Sequence, residues 1–189
     1  MITHDHPYFF LAKLYQNEDA IFHLSKYKYV ADSLFDEREF ISVRATELTE
    51  SWLESAINSL DPEYELALHS KVLIRNRTYH IPMIDFSISG SFTTEAVNRM
   101  RYFLPKNVML NMEIYDSGRS FHAYSTTLIQ PKKWIEFMGR LLLINSRKDQ
   151  HIVDTRWVGH RLIGGFSSLR WSNNTNQYLG LPRRIPFPT

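Results

Sequence analysis

Between residues 71 and 154 the apolar residues switch repeatedly between two spacings, and this order is what most restricts the fold. Apolar residues at every second position predict β-strands within 71–75, 80–89, 107–115, 121–129 and 151–154. Segments 92–104 and 131–142 carry them at helical spacing, which predicts two helices. The order strand, strand, helix, strand, strand, helix and strand predicts an α+β fold with helices packed on a mostly antiparallel sheet.

The same pattern predicts individual elements. A helix over 48–60 ends at Asp61-Pro62. The stretch NVMLNMEIY is predicted as one strand with a shared face formed by Val108, Leu110, Met112 and Ile114. The helix that begins at Pro131 is predicted to bury a stripe formed by Trp134, Met138, Leu141 and Leu142. Residues 1–45 fit either helix or strand, and LPRRIPFPT at 181–189 is predicted to be extended.

Charge divides the chain into two unequal parts. Residues 1–66 carry 13 acidic and 5 basic side chains, whereas residues 67–189 carry 7 acidic and 17 basic ones. A single domain over 1–189 is expected, with an acidic part at 1–66, a basic part at 67–175 and a tail at 176–189. The basic part favours a polyanionic partner, although internal neutralisation by the acidic part is the alternative.

Composition excludes several classes of protein. The chain has no cysteine, so it forms no disulfide, uses no thiolate nucleophile and holds no cysteine-ligated zinc. No apolar run approaches membrane-spanning length, and the start MITHDHPYFF lacks the order of a signal peptide. A cytoplasmic protein without a membrane partner is expected.

Two aspartates lie in apolar surroundings, where desolvation of a carboxylate costs free energy unless a cation or hydrogen-bond donors contact it. Asp85 lies inside a largely apolar predicted strand, and Asp154 follows Ile152-Val153 at the end of another. Carboxylates at strand ends of one sheet are suitable ligands for Mg²⁺ or Mn²⁺. The alternative is that each aspartate caps a turn.

The stretch SGRSFH, residues 117–122, combines features that suit an anion. Gly118 allows close backbone approach, Arg119 offers a planar fork of donors, and His122 follows the turn on the next strand. For His122, ordinary hydrogen bonding to its neighbours is the alternative.

A third cluster lies in residues 153–174. Arg156, Arg161 and Arg170 are interleaved there with Trp157 and Trp171, a combination that suits phosphate and base contacts. The alternative is a packed loop with tryptophans in the core and arginines at the surface.

These three segments, in this order, resemble the three motifs of the archaeo-eukaryotic primase superfamily. The matching stretches are MIDFS, SGRSFH and IVDTRWVGHRL, and the resemblance spans about residues 70–175. Small bacterial primase-polymerase-like proteins, some associated with mobile elements or phage defence, are the most similar in pattern. The resemblance implies a catalytic core with an N-terminal α/β part, an RRM-like sheet and an active site between them.

The resemblance also implies roles for single residues. Asp85 and Asp154 would bind the divalent metals, Mg²⁺ or Mn²⁺, in a two-metal phosphoryl transfer. His122 and the Ser117-Gly118 backbone would hold the triphosphate of the incoming nucleotide, together with Arg161. Arg119 is a further candidate for nucleotide binding, and Arg156 and Arg170 are candidates for nucleic-acid binding.

One position departs from the family pattern. The first motif of the superfamily usually carries a second carboxylate, and Ser87 stands in its place here. Either Asp85 and Asp154 suffice, or Glu113 or Asp116 substitutes, or the site binds nucleotides without turnover. The expected function is a primase-polymerase-like nucleotidyltransferase acting on nucleoside triphosphates and a DNA or RNA template. The alternative is a catalytically degenerate domain that binds nucleotide or nucleic acid with protein partners in a larger assembly.

Overall fold

The computed structural model describes residues 1–30, 33–34, 37–145 and 151–188. Its helices are α1 Pro7–Tyr15, α2 Glu50–Asn58, α3 Thr94–Phe103, α4 Lys106–Leu110, α5 Pro131–Ile144 and α6 Thr155–Gly164. Its strands are β1 Ala20–Lys28, β2 Glu37–Arg44, β3 Glu65–Ile74, β4 Arg77–His80, β5 Met83–Asp85, β6 Met112–Asp116, β7 Phe121–Ser125, β8 Ser168–Arg170 and β9 Arg183–Ile185. No helix in these ranges is both long and apolar enough to span a bilayer.

The first sheet contains strands from both ends of the chain. Its order is β2-β1-β3-β4, and β8 also pairs with β3. Phe22 and Leu24 of β1 turn inward and pack in one cluster with Leu11 of α1 and Leu53 of α2. The opposite face of this sheet, which includes Tyr27 and Arg38, contributes none of its described residues to this cluster.

The second sheet has the order β5-β7-β6-β9, and all its pairs are antiparallel. A bridge between Phe86 and Val153 extends it beyond β5. Along the chain the order is β5, α3, β6, β7, α5 and the Val153 bridge, which is the βαββαβ order of an RRM-like unit. Helices α3 and α5 share the core of this sheet through Met100 and Leu141. The prediction of an α+β fold with a mostly antiparallel, helix-covered sheet is confirmed.

Two sequence-based details were wrong. Residues 106–110 form α4 instead of the first half of a strand, because Pro105 precedes a helical turn, so that Val108 is buried while Leu110 is 74% exposed. Leu142 is also exposed, because the buried stripe of α5 continues through Leu141 and Ile144.

Candidate nucleotide site

A cavity of about 380 Å³ lies between the two sheets and brings the three sequence segments together. Asp85 and His122 line it from the second sheet, and Asp154 and Arg161 line it from the start and the body of α6. Arg170 of β8 lines it from the first sheet. This volume falls in the range of small-molecule sites.

Backbone pairing fixes the two aspartates relative to each other. The N–H of Asp154 donates to the carbonyl of Asp85 at 3.0 Å, next to the bridge between Phe86 and Val153. Strand β5 pairs with β7 in a register that sets Asp85 opposite His122. The three side chains therefore face one cavity because of strand pairing rather than loop conformation.

Asp154 has a structural role as well as a place in the cavity. One of its carboxylate oxygens accepts a hydrogen bond from the N–H of Trp157 at 2.9 Å, so Asp154 is the N-cap of α6. The turn-capping alternative for this residue is thus present in the structure. A carboxylate has a second oxygen, and N-capping by the first leaves that oxygen available for another ligand.

Asp85 is an acid held in an environment that disfavours its charge. Burial, and next the carboxylate of Asp154, raise the pKa of Asp85 to about 8, against the opposing pull of Arg161 and Arg170. A quarter of its side chain is exposed (25%), on the side of the cavity. A bound cation would stabilise the charged form of such a carboxylate, once its proton has been displaced.

His122 is buried, and one ring nitrogen lacks a protein partner. Its Nε2 lies 3.7 Å from Oδ1 of Asp85, while its Nδ1 has no hydrogen-bond partner among the described residues. Burial and the charge of Arg170 lower the pKa of His122 to about 3, so the imidazole is neutral at pH 7. A buried polar atom without a partner in a cavity is typical of a ligand contact.

The turn of SGRSFH uses part of its own donor capacity. The N–H of Ser117 donates to the carbonyl of Ser120 at 2.9 Å, and the N–H of Gly118 donates to Asp116 at 2.7 Å. Gly118, at a φ of +89°, packs against the backbone of Gly180 instead of lining the cavity between the sheets. Phosphate binding by the Ser117-Gly118 backbone would require these hydrogen bonds to be exchanged, whereas Arg119 lines the cavity and is exposed.

The arginines divide into two groups by burial. Arg119 and Arg156 are exposed where they line the cavity. Arg161 is 9% exposed and donates to the hydroxyl of Ser168 at 2.7 Å. Arg170, predicted to contact nucleic acid, is 3% exposed and donates to the carbonyls of three residues, which are Ser117, Ser172 and Gly180. This arrangement gives Arg170 an anchoring role between the first sheet, the turn and the C-terminal segment.

Glu113 and Asp116, the two candidates for replacing the missing carboxylate of the first motif, do not line the cavity. The hydroxyl of Ser87 donates to the carbonyl of His151 at 2.6 Å, and Ser87 does not line the cavity. Asp116 accepts from Gly118, and Glu113 lies 3.5 Å from Arg184. Within the described ranges there is no cluster of three or more His, Asp or Glu side chains placed to hold a metal ion. The acids of the cavity are therefore the pair Asp85 and Asp154.

Three further residues of the cavity wall, Tyr27, Arg38 and Tyr178, were not among the candidates predicted from the sequence. Arg38 of β2 lies 4.6 Å above the ring of Tyr27, and Arg170 lies 3.9 Å above the ring of Tyr178. The stretch KYKYV, residues 26–30, combines aromatic and basic side chains and could have indicated Tyr27 as a candidate. Tyr27 and Tyr178 come from opposite ends of the chain and meet in the cavity wall, so no local sequence pattern indicates their contact.

The chain matches a family model, archaeo-eukaryotic primase 1D-like, over residues 44–183. No curated protein and no solved structure gives a match. The matched range covers about three quarters of the chain and includes Asp85, His122 and Asp154. The part of the cavity wall formed by Tyr27 and Arg38 lies outside it.

Proposed function

Because the chain belongs to the archaeo-eukaryotic primase superfamily, we propose that its cavity binds a nucleoside triphosphate with a divalent cation and transfers the nucleotide to a nucleic-acid strand. The observation that carries this proposal is a fixed pair of acids, Asp85 and Asp154, in a cavity that also contains arginines. In the transfer, a 3′-hydroxyl oxygen loses its proton to water and bonds to the α-phosphorus, while the bond from that phosphorus to the bridging oxygen breaks and pyrophosphate leaves.

The donor set fits Mg²⁺ or Mn²⁺ brought in with the nucleotide. Such ions are commonly held by one or two carboxylates together with substrate phosphates, rather than by a complete protein cage. Asp85 and Asp154 supply two carboxylates, and because the raised pKa of Asp85 keeps its proton near neutral pH, a cation has to displace that proton and binds more tightly as pH rises. When bound, the ion neutralises phosphate charge and polarises the reacting phosphate.

The protein side chains around the acids would orient the triphosphate. Arg119 and Arg156 can approach phosphate oxygens from the open part of the cavity. His122 is neutral and therefore contributes one hydrogen bond to a phosphate without adding charge. Arg161 adds a buried positive charge at the same cavity.

A second candidate function is nucleotide binding without turnover. The observation that favours it is Ser87, whose hydroxyl is committed to His151 and leaves the cavity with two acids instead of three. In that case the domain would bind nucleotide or nucleic acid as part of a larger assembly.

One experiment separates the two functions. A primed template, labelled nucleotides and Mn²⁺ are mixed with the wild-type protein, Asp85→Asn or Asp154→Asn, and nucleotide binding is titrated in parallel. Extension by the wild type that both variants lose supports the nucleotidyltransferase. Mn²⁺-dependent nucleotide binding without extension supports the binding function, and the absence of both refutes the site.

A further inference from the structure

The face of the first sheet that continues from the cavity carries an unusual group of aromatic and basic side chains. Phe40 of β2 is 64% exposed in the middle of its strand. Its ring stands nearly perpendicular to those of His69 and Phe166, at 5.4 Å and 6.0 Å. The rings of His69 and Phe166 stack on each other at 4.3 Å. We call Phe40, His69 and Phe166 the aromatic platform.

Cations surround this platform. Lys71 lies 5.7 Å from the centre of the Phe166 ring and Arg161 lies 6.0 Å from it. Arg38 precedes Phe40 by two residues on the same face, and it donates to the hydroxyl of Ser25 at 2.9 Å. The described side chains that contact the platform rings from the side of Lys71 and Arg161 are therefore cationic.

Within the described residues of β1, β2 and β3, this face has no exposed acidic side chain. In the described parts of β1, β2 and β3, alternation places Glu65 as the acid on this side, and it is 2% exposed. Its carboxylate accepts hydrogen bonds from the N–H groups of Asn174 and Thr175 at 3.0 Å and 2.8 Å. Glu37 and Glu39 alternate onto the other side of β2, where Glu39 pairs with Lys26. The described charged side chains that remain accessible on this face are basic, which suits a polyanion.

The platform is continuous with the proposed nucleotide site. Arg38 and Arg161 belong to both, since each lines the cavity and lies beside a platform residue. Ser168 also lines the cavity and pairs with His69 across β3 and β8. Phe40 itself lies outside the range that matches the family model.

We propose that this face binds a single-stranded nucleic acid, whose bases stack on Phe40 and Phe166 and whose phosphates lie against Lys71 and Arg38 as the strand enters the cavity. Sequence-tolerant binding of single strands combines a basic surface with aromatic rings of this kind. The inference rests on the proposed function, because it takes the nucleotide cavity as the place to which the strand leads.

The test compares variants that remove either the aromatic ring or the charge. Phe40→Leu keeps an apolar side chain of similar size without the ring, and Lys71→Gln removes a cation. Tyr102→Leu, the control, removes an aromatic residue of α3 that is even more exposed (82%). Binding of a fluorescent oligothymidylate, and of oligouridylate, is measured by anisotropy in EDTA over a range of salt concentrations. Thermal melts verify that each variant is folded.

The expected result separates stacking from charge. Phe40→Leu weakens binding of both oligonucleotides about tenfold with an unchanged salt slope, because it loses stacking but no phosphate contact. Lys71→Gln lowers the magnitude of the salt slope by about 0.7, the contribution of one phosphate contact to a single strand. Tyr102→Leu binds like the wild type.

Other results overturn the inference. Equal oligonucleotide affinity for Phe40→Leu and the wild type would exclude the platform, as would the absence of wild-type binding at low salt. Titration of nucleotide with Mn²⁺ into the same proteins tests the cavity independently. Nucleotide binding with no effect of Phe40→Leu on the oligonucleotide refutes the platform alone. Phe40-dependent oligonucleotide binding without nucleotide binding refutes the proposed function while retaining the platform as a nucleic-acid surface.

Discussion

Replacing Asp85 by asparagine should stabilise the metal-free protein at pH 8 and at the same time abolish cation binding. Asparagine has the shape of the protonated acid but never ionises, so it removes the cost of a carboxylate charge in the cavity. Burial and Asp154 move the pKa of Asp85 from 3.8 to about 8. At about 1.4 kcal/mol per pH unit, this sets an upper bound of roughly 6 kcal/mol. Because a quarter of the side chain reaches water in the cavity, we expect about 1–3 kcal/mol.

The sign of the pH dependence follows from which state holds the proton. Between pH 4 and pH 8 the folded protein keeps the proton of Asp85 while the unfolded chain loses it. The free energy of unfolding of the wild type therefore falls as pH rises through this window, and that of Asp85→Asn does not fall from this cause. Urea unfolding of both proteins in EDTA at pH 5 and pH 8 measures the difference, which should grow with pH.

Addition of Mn²⁺ should reverse the ranking of the two proteins. The wild type should gain melting temperature, and more at pH 8 than at pH 6, because the cation competes with the proton of Asp85. Asp85→Asn should gain little at either pH. If Asp85→Asn were less stable than the wild type by the same amount at pH 5 and pH 8, the assignment of a raised pKa to Asp85 would be refuted.

Three further predictions concern neighbouring parts of the structure. Asp154→Ala should lower the free energy of unfolding by about 1 kcal/mol at pH 5 through loss of the N-cap of α6, whereas Asp154→Asn should keep the cap; both should lose Mn²⁺-dependent nucleotide binding in a titration. His122→Ala should weaken nucleotide binding about tenfold, since a hydrogen bond to a charged group contributes about 1.5–3 kcal/mol. The variant should still fold because Nδ1 has no hydrogen-bond partner to lose among the described residues, and an unfolded variant would contradict the assignment. Gly118→Ala should cost at least about 1 kcal/mol more than Gly90→Ala in urea unfolding. Both glycines have positive φ, at +89° and +84°, but a Cβ at Gly118 would meet the backbone of Gly180 at 3.0 Å while one at Gly90 would meet nothing within 4 Å. Equal costs for the two glycines would show that the C-terminal segment does not constrain the turn.

The secondary structure around the site could be predicted because its periodicity is local. The helices at 94–103 and 131–144 and the strands that carry Asp85 and His122 follow the apolar spacing of the sequence. The predicted strand over 107–115 failed at its first half, where the sequence alternates as a strand but Pro105 begins a helical turn. Short apolar runs of this kind are ambiguous between helix and strand.

The environment of the site residues could be predicted only in part. Asp85, His122 and Asp154 were selected from the sequence, but their common cavity depends on a pairing of β5 with β7 that skips β6 along the chain. The burial of Arg170 was not predictable, because its acceptors include the carbonyl of Ser117, 53 residues away in sequence, as well as that of Gly180. Distinguishing a ligand-binding arginine from an anchoring one requires these long-range contacts.

The path of the chain between the two sheets has a consequence for how the cavity opens. The chain passes from the first sheet to the second after β4, returns at β8, and passes again to the second sheet to form β9. Three crossings, at separate places along the interface, make a single-hinge opening of one half against the other unfavourable, since every crossing would have to bend together. Exchange of nucleotide would then depend on movements of side chains such as Arg119 at the open part of the cavity. Limited proteolysis should accordingly not release either sheet as a stable fragment, because each sheet is completed by a strand that follows the other in sequence.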